Sequence, residues 1–211
     1  MKNLEKGITL VEIVVVLFII AMFMVILISD FPKMLRQLAL SRATYNFAQD
    51  LRKTQDLGLS GIALNNANGN AIVVKGYGIY VTNSDTKYLI YADVAEAEDE
   101  NGVRSGNQQY GGNFDTYFCE SQEYVSTSQE DDCIIKMVDI KDENSRLSIK
   151  DITNTQGTSY SFVSINFSPP SPKTTITTDV GEISATSVVL QNTDSVERGV
   201  LVNSSGLIDI Q

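Results

Sequence analysis

The sequence predicts an α+β protein: a long N-terminal α-helix, first membrane-spanning and then a stem, packed on an antiparallel β-sheet head. Three observations carry that expectation. Residues 8–28 form an apolar run in which Glu12 is the sole ionisable side chain. Residues 33–57 then place Leu40, Ala43, Phe47 and Leu51 at i, i+3, i+7 and i+11, an apolar stripe along an otherwise polar rod. Beyond residue 61 the chain changes to short β-branched and aromatic runs separated by turn residues.

The apolar run comes first. As a helix rising 1.5 Å per residue it spans roughly 31 Å, close to the ~30 Å hydrocarbon core of a bilayer. A core helix of a soluble domain is rarely apolar on every face over so many turns. A secretory signal has a shorter apolar region that ends at a small-x-small cleavage site. Here the run ends ILISDFPK, which has no such site. The segment therefore reads as a retained anchor. Lys2 and Lys6 on its short side put the N-terminus in the cytoplasm and the rest of the chain outside.

The stem follows after Asp30, Phe31 and Pro32. Proline removes an N–H and crowds the preceding turn, so Pro32 is expected to kink or interrupt the helix at the membrane exit. Gly58 and Gly61 are expected to end it. The resulting division is 1–7 leader, 8–29 transmembrane helix, 30–60 extracytoplasmic stem and 61–211 β-rich head.

Ten runs in the head read as strands: AIVVK, GYGIYVT, KYLIYAD, IIKMVDI, RLSIK, YSFVSINF, TTITT, TSVVLQ, GVLVN and GLIDI. Turn chemistry such as Thr82-Asn83-Ser84-Asp85 and Asn203-Ser204-Ser205-Gly206 separates them. Residues 93–132 stand apart as an acidic loop region, with eleven Asp and Glu against Arg104 alone.

Composition narrows the chemistry. The 211 residues contain no histidine, which removes His-based acid–base catalysis, Ser-His-Asp and Cys-His triads and most zinc sites. No nucleophile–base pair, metal cluster or phosphate loop suggests an enzyme, and no cofactor or metal is expected. Cys119 and Cys133 lie on the exported side. An even count in an oxidising compartment favours a disulfide, worth about 3 kcal/mol for a loop of ~15 residues, with two unpaired thiols as the alternative. Their spacing is unlike a C-x-x-C redox pair.

The formal charge of −10 disfavours nucleic acid as a partner. The stem is locally basic, with Lys33, Arg36, Arg42, Arg52 and Lys53 against Asp50. It reads either as a solvated face or as a surface for anionic lipid or an acidic loop of another subunit. The stretch EAEDENGVRSG has the look of a calcium loop, but Ala97 and Gln108 fall where an EF-hand needs carboxylates. A looser calcium site using Asp93 and Asp99 competes with a solvated loop.

The opening KGITLVEIVVVLFII closely resembles the class III leader and transmembrane start of type IV pilins and pseudopilins. In that family a short basic leader ends in Gly, and an apolar helix follows with Glu as its fifth residue. Gly7 matches the residue before the cut, Ile8 the new N-terminus and Glu12 the family glutamate. Ile8 departs from the usual Phe. The resemblance implies cleavage between Gly7 and Ile8 by prepilin peptidase, N-methylation of Ile8, an inner-membrane assembly platform and other pilin or pseudopilin subunits as partners. A carboxylate in hydrocarbon costs about 2.5–3.5 kcal/mol, so Glu12 needs a partner. The amine of Ile8 on a neighbouring helix would serve and would fix the axial offset between subunits; a snorkelling acid is the alternative reading.

The order of SRATYNFAQDLRKTQDLGLSG, GYGIYVTNSDTKYLIYADV, SINFSPPSPKTTI and RGVLVNSSGLI is similar to minor pseudopilins of the GspH/FimT type, in which a helix packs on two antiparallel sheets. The calcium loop and compact size of the major pseudopilin are missing, and Glu12 is unlike the tip subunit, which lacks this acid. Some FimT-like proteins capture DNA through C-terminal basic residues. After residue 185 this chain has only Arg198, so that activity is not expected. The resemblance implies a non-enzymatic filament subunit of a type II secretion pseudopilus or type IV pilus. A membrane-anchored or filament-borne binding module is the alternative.

Overall fold

The computed structural model describes residues 9–65, 69, 71–94, 108–111, 118–120, 132–142, 146–169 and 173–211. One helix, α1 (Leu10–Ser60), leads into twelve strands among the described residues. At 1.5 Å per residue its 51 residues extend roughly 77 Å, about twice what a bilayer needs. The N-terminal half is exposed along its whole length, from Leu10 at 78 % to Ile28 at 72 %. The C-terminal half buries Ala39, Leu40, Ala43, Phe47, Ala48 and Leu51, the stripe expected from sequence. Thr44 and Thr54 lie on the same buried face, and their hydroxyls donate to the carbonyls of Leu40 (2.8 Å) and Asp50 (2.7 Å). Neither leaves a polar atom stranded among apolar neighbours.

The interruption expected as one outcome at Pro32 does not occur, and α1 runs on through it. The proline deprives the Ile28 carbonyl of its helical donor, but Pro32 is exposed, so water or a lipid headgroup can take that place. The helix also continues through Gly58 and stops only at Gly61, whose φ of 57° and ψ of 32° give the left-handed cap that closes it. Gly58 has another purpose: a Cβ there would lie 2.4 Å from the carbonyl oxygen of Phe167. The missing side chain is what lets helix and sheet approach so closely.

The strands are β1 (Leu64–Asn65), β2 (Ala71–Ile72), β3 (Val74–Thr82), β4 (Lys87–Val94), β5 (Cys133–Asp139), β6 (Leu147–Thr153), β7 (Phe162–Ser168), β8 (Lys173–Thr178), β9 (Gly181–Ile183), β10 (Ala185–Asn192), β11 (Glu197–Asn203) and β12 (Ile208–Ile210). They form a six-stranded sheet in the order β5-β4-β3-β7-β8-β9, a four-stranded sheet β12-β11-β10-β6 and the small pair β1-β2. All pairings between named strands are antiparallel. Ten strands overlap the ten runs read from sequence, although AIVVK is divided, with Ala71 and Ile72 in β2 and Val74 and Lys75 opening β3; β1 and β9 are additions of two and three residues.

α1 packs against both larger sheets, touching β3 and β7 of one and β10, β11 and β12 of the other. One core holds them together, with Phe47 and Leu51 from the helix, Ile79, Ile165 and Ile176 from the first sheet, and Val188, Leu190, Val200 and Val202 from the second. The two sheets differ in how they face water. Strand β10 alternates strictly, burying Thr186, Val188, Leu190 and Asn192, as expected for a sheet covered on one face. Strand β4 is buried from Tyr88 to Val94 without alternation. Tyr88 and Ile90 point to the helix, whereas Leu89 and Tyr91 belong to a second cluster with Tyr110 and Ile134. The six-stranded sheet is therefore covered on both faces, by α1 on one and by part of the acidic region on the other.

Candidate functional site

The sequence singled out the N-terminal end of α1. Gly7 and Ile8 lie outside the described residues. Glu12 is described, and its carboxylate does not stand alone. Its Oε2 accepts from the backbone N–H of Thr9 (3.0 Å) and from the Thr9 hydroxyl (3.0 Å), and the Glu12 N–H donates back to Thr9 Oγ1 (3.3 Å). This is a capping box in which Thr9 is the N-cap and Glu12 the third helical residue. A helix begins with four N–H groups that lack partners, and a carboxylate beside them is also favoured by the helix dipole. The sequence reading gave Glu12 a role between subunits and missed the one within its own chain. The signal was available as Thr9-Leu10-Val11-Glu12, the S/T-x-x-E pattern ahead of an apolar run.

Below Glu12 the helix offers lipid or a partner helix only apolar side chains. An 18-residue window reaches a mean hydropathy of 3.3, and none of that window is buried in the chain's own fold. Such a surface has to be covered by hydrocarbon or by other apolar helices.

The basic stem is partly spent within the chain. Arg36 grips Asp194, in the turn between β10 and β11, through Nε–Oδ2 (2.5 Å) and Nη2–Oδ1 (2.9 Å). This two-pronged contact ties the helix to the base of the head. The Arg36 hydrogen bond holds the Asp194 carboxyl below its ordinary range. Lys33 pairs with Asp30 (3.7 Å) and Lys53 with Asp50 (3.7 Å). Asp50 is nearly buried between helix and sheet, where it also accepts from the Tyr88 hydroxyl (2.8 Å) and from Lys136 Nζ (3.4 Å).

Cys119 and Cys133 are joined, with Cα atoms 4.9 Å apart. Around this bond the acidic region is stitched to the sheet. Asp132, buried next to Cys133, accepts from the N–H groups of Val94 (3.0 Å) and Gly111 (3.0 Å). Asp93 accepts from the Asn166 amide (2.9 Å) and the Gln108 N–H (3.1 Å). The Tyr110 ring packs 5.3 Å from both Tyr80 and Tyr91, and its N–H donates to Ser164 (3.2 Å). Asp93, weighed above as a calcium ligand, thus serves as a buried acceptor for this layer. Asp99 lies outside the described residues. Among the described residues no three His, Cys, Asp or Glu side chains gather as a metal site.

The comparisons with known proteins meet this picture at one end of the chain. Residues 2–28 match the prokaryotic N-terminal methylation motif. No curated protein and no solved structure is significantly similar to the chain. The motif spans the leader, the capping box and the apolar turns that follow. Together with one long apolar helix on antiparallel sheets, it supports the class of pilin-like proteins carrying a prepilin-type signal.

Proposed function

We propose that this chain is a non-enzymatic filament subunit, a minor pilin or pseudopilin of the GspH/FimT type. It works by assembling with other subunits into a type II secretion pseudopilus or a type IV pilus. The observation that carries this reading is the methylation motif over residues 2–28, set at the start of an apolar helix whose first half has no cover among the described residues. Prepilin peptidase cuts between Gly7 and Ile8 on the cytoplasmic side, and Ile8 becomes N-methylated. The anchor stays in the inner membrane with the head outside until the assembly platform passes the subunit into the filament. There the apolar half of α1 exchanges lipid for neighbouring helices.

The capping box sharpens the role of Glu12. In the free subunit the carboxylate is held by Thr9. In the filament the same carboxylate can also face the amine of Ile8 on a neighbour, and stranding either charge in an apolar setting is costly. The two roles separate by substitution. Glu12→Gln keeps a side chain able to accept from the N-cap N–H but has no charge, whereas Glu12→Ala removes both. The test compares membrane-fraction and sheared-filament amounts for each variant. Both variants are expected to insert in the membrane, and both to be depleted from filaments. If Glu12→Gln enters filaments at the wild-type level, charge pairing is not the function of Glu12.

A further inference from the structure

Two stretches of the chain carry the pattern Asn-x-Ser that accepts an N-linked glycan in exported proteins: Asn166-Phe167-Ser168 and Asn203-Ser204-Ser205. The fold treats them oppositely. Asn166 lies in β7 with none of its surface exposed, and its amide nitrogen donates to Asp93 (2.9 Å) and to the Tyr91 hydroxyl (3.4 Å). A sugar on that nitrogen would have to displace both. Asn203 ends β11 and opens the turn into β12, where Ser204 and Ser205 are exposed and Leu207 is 56 % exposed. Strand β11 buries Val200 and Val202 in the core, so the alternate residues Leu201 and Asn203 face outward from the four-stranded sheet.

The turn also fixes which atom of Asn203 is presented. Its Oδ1 accepts from the Ser205 N–H (3.1 Å), the Ser205 hydroxyl (2.6 Å) and the Leu207 N–H (3.0 Å). These donors hold the oxygen toward the turn, so the amide nitrogen, on the other branch of the same planar group, points away from it. The hydroxyl that the pattern requires two residues on is the one that donates to the carboxamide oxygen. Backbone bonds keep the turn in place: the Gly206 N–H donates to the Asn203 carbonyl (2.9 Å) and the Asn203 N–H to the Leu207 carbonyl (3.2 Å). We propose that Asn203 is a glycosylation site, served on the exported side by an oligosaccharide carried on a polyprenyl pyrophosphate. The Asn203 nitrogen attacks the anomeric carbon, the bond from that carbon to the pyrophosphate oxygen breaks, and a C–N bond forms. The nitrogen gives up one proton, and the lipid pyrophosphate leaves. Asn166, with the same pattern in a buried strand, stays bare. The proposal rests on the head being exported, as the reading above has it.

The test uses the full chain purified from its native membrane. Trypsin cuts after Arg198, so Asn203 is the one asparagine of residues 199–211, while residues 151–173 carry Asn166. Electron-transfer fragmentation is expected to place a mass of at least one monosaccharide on Asn203 and none on Asn166. Asn203→Gln and Ser205→Ala should abolish that mass at wild-type amounts of protein in the membrane. Ser205→Thr, which keeps a hydroxyl at the same position, should retain it. Intact mass of the same sample shows whether the chain begins at Ile8, which separates this proposal from the pilin reading. A bare Asn203 on chains that begin at Ile8 overturns the proposal and leaves that reading intact, and a sugar on Asn203 of chains that still begin at Met1 does the reverse. A bare Asn203 on chains that begin at Met1 overturns both. Sugar found on Asn166, or on Ser204 or Ser205 in place of Asn203, also overturns the proposal.

Discussion

At the residue scale, the sharpest constraints sit where polar atoms are buried. The Tyr88 and Tyr91 hydroxyls are both shielded from water, and burial pushes each well above the ordinary value of 10.0. The charge of Asp50 adds to this at Tyr88, and those of Asp132 and Asp93 at Tyr91. For an acid whose folded value is raised, stability is intact below the unfolded value and drains away as pH climbs past it. Ultraviolet titration should therefore show a late tyrosinate phase that coincides with unfolding. Tyr88→Phe and Tyr91→Phe should each remove amplitude from that phase and none from the early one; loss from the early phase would contradict the burial argument. Tyr88→Phe also deprives Asp50 of a short hydrogen bond, at a cost of about 1.5–3 kcal/mol in chemical denaturation. Gly58→Ala sets two effects against each other. Helix propensity favours Ala by about 1 kcal/mol, but overpacking costs about 1–3 kcal/mol. The contact is with the Phe167 carbonyl, a backbone atom that cannot swing aside. The substitution should lower the thermal midpoint, and a rise would show that helix and sheet can separate there at little cost. The stripe of Leu40, Ala43, Phe47 and Leu51 was legible in the sequence because one helical period produces it. Gly58 was misread as a stop because its reason lies on another strand 109 positions along the chain, where no local pattern reaches.

At the element scale, the question is what keeps a helix about 77 Å long aligned with its head. The packed stripe does most of this, and the Arg36–Asp194 grip fixes the membrane-proximal end. The folded value of Asp194 is depressed, so its contribution is present above the ordinary carboxylate range and disappears as pH falls below it. Asp194→Asn should lower the midpoint at about pH 7 and lose less than wild type on going to about pH 3. Parallel acid curves for the two proteins would show the grip to be without consequence. Strands were the most legible elements, since turn residues and β-branched runs mark ten of the twelve. The two short additions have too few residues to form a pattern. The acidic region was legible as a charge anomaly but not as a layer. Tyr110 and Gln108 reach the sheet through Ser164 and Thr175 on distant strands and through Asp93 at the end of β4. Their local sequence, flanked by Gly and Asn, reads as solvated loop.

At the scale of the whole molecule, two surfaces with opposite needs share one helix. The half of α1 beyond residue 38 is satisfied by the head, while among the described residues nothing covers the half before residue 29. A bilayer covers it in the free subunit, and in the proposed filament neighbouring helices replace the lipid. In that proposal Glu12 marks the boundary of the exchange; the structure shows its carboxylate accepting from the N–H of Thr9. The account rests on the leader being removed without loss of the anchor, since only then does the amine of Ile8 exist to meet a carboxylate. Intact-mass and N-terminal fragment spectra of the protein from its native membrane test this directly. The account predicts a chain that begins at Ile8, methylated on its amine, and a Gly7→Leu variant that keeps residues 1–7. A mature chain that begins at Met1, or one cut after Ser29 with the apolar helix gone, would contradict it.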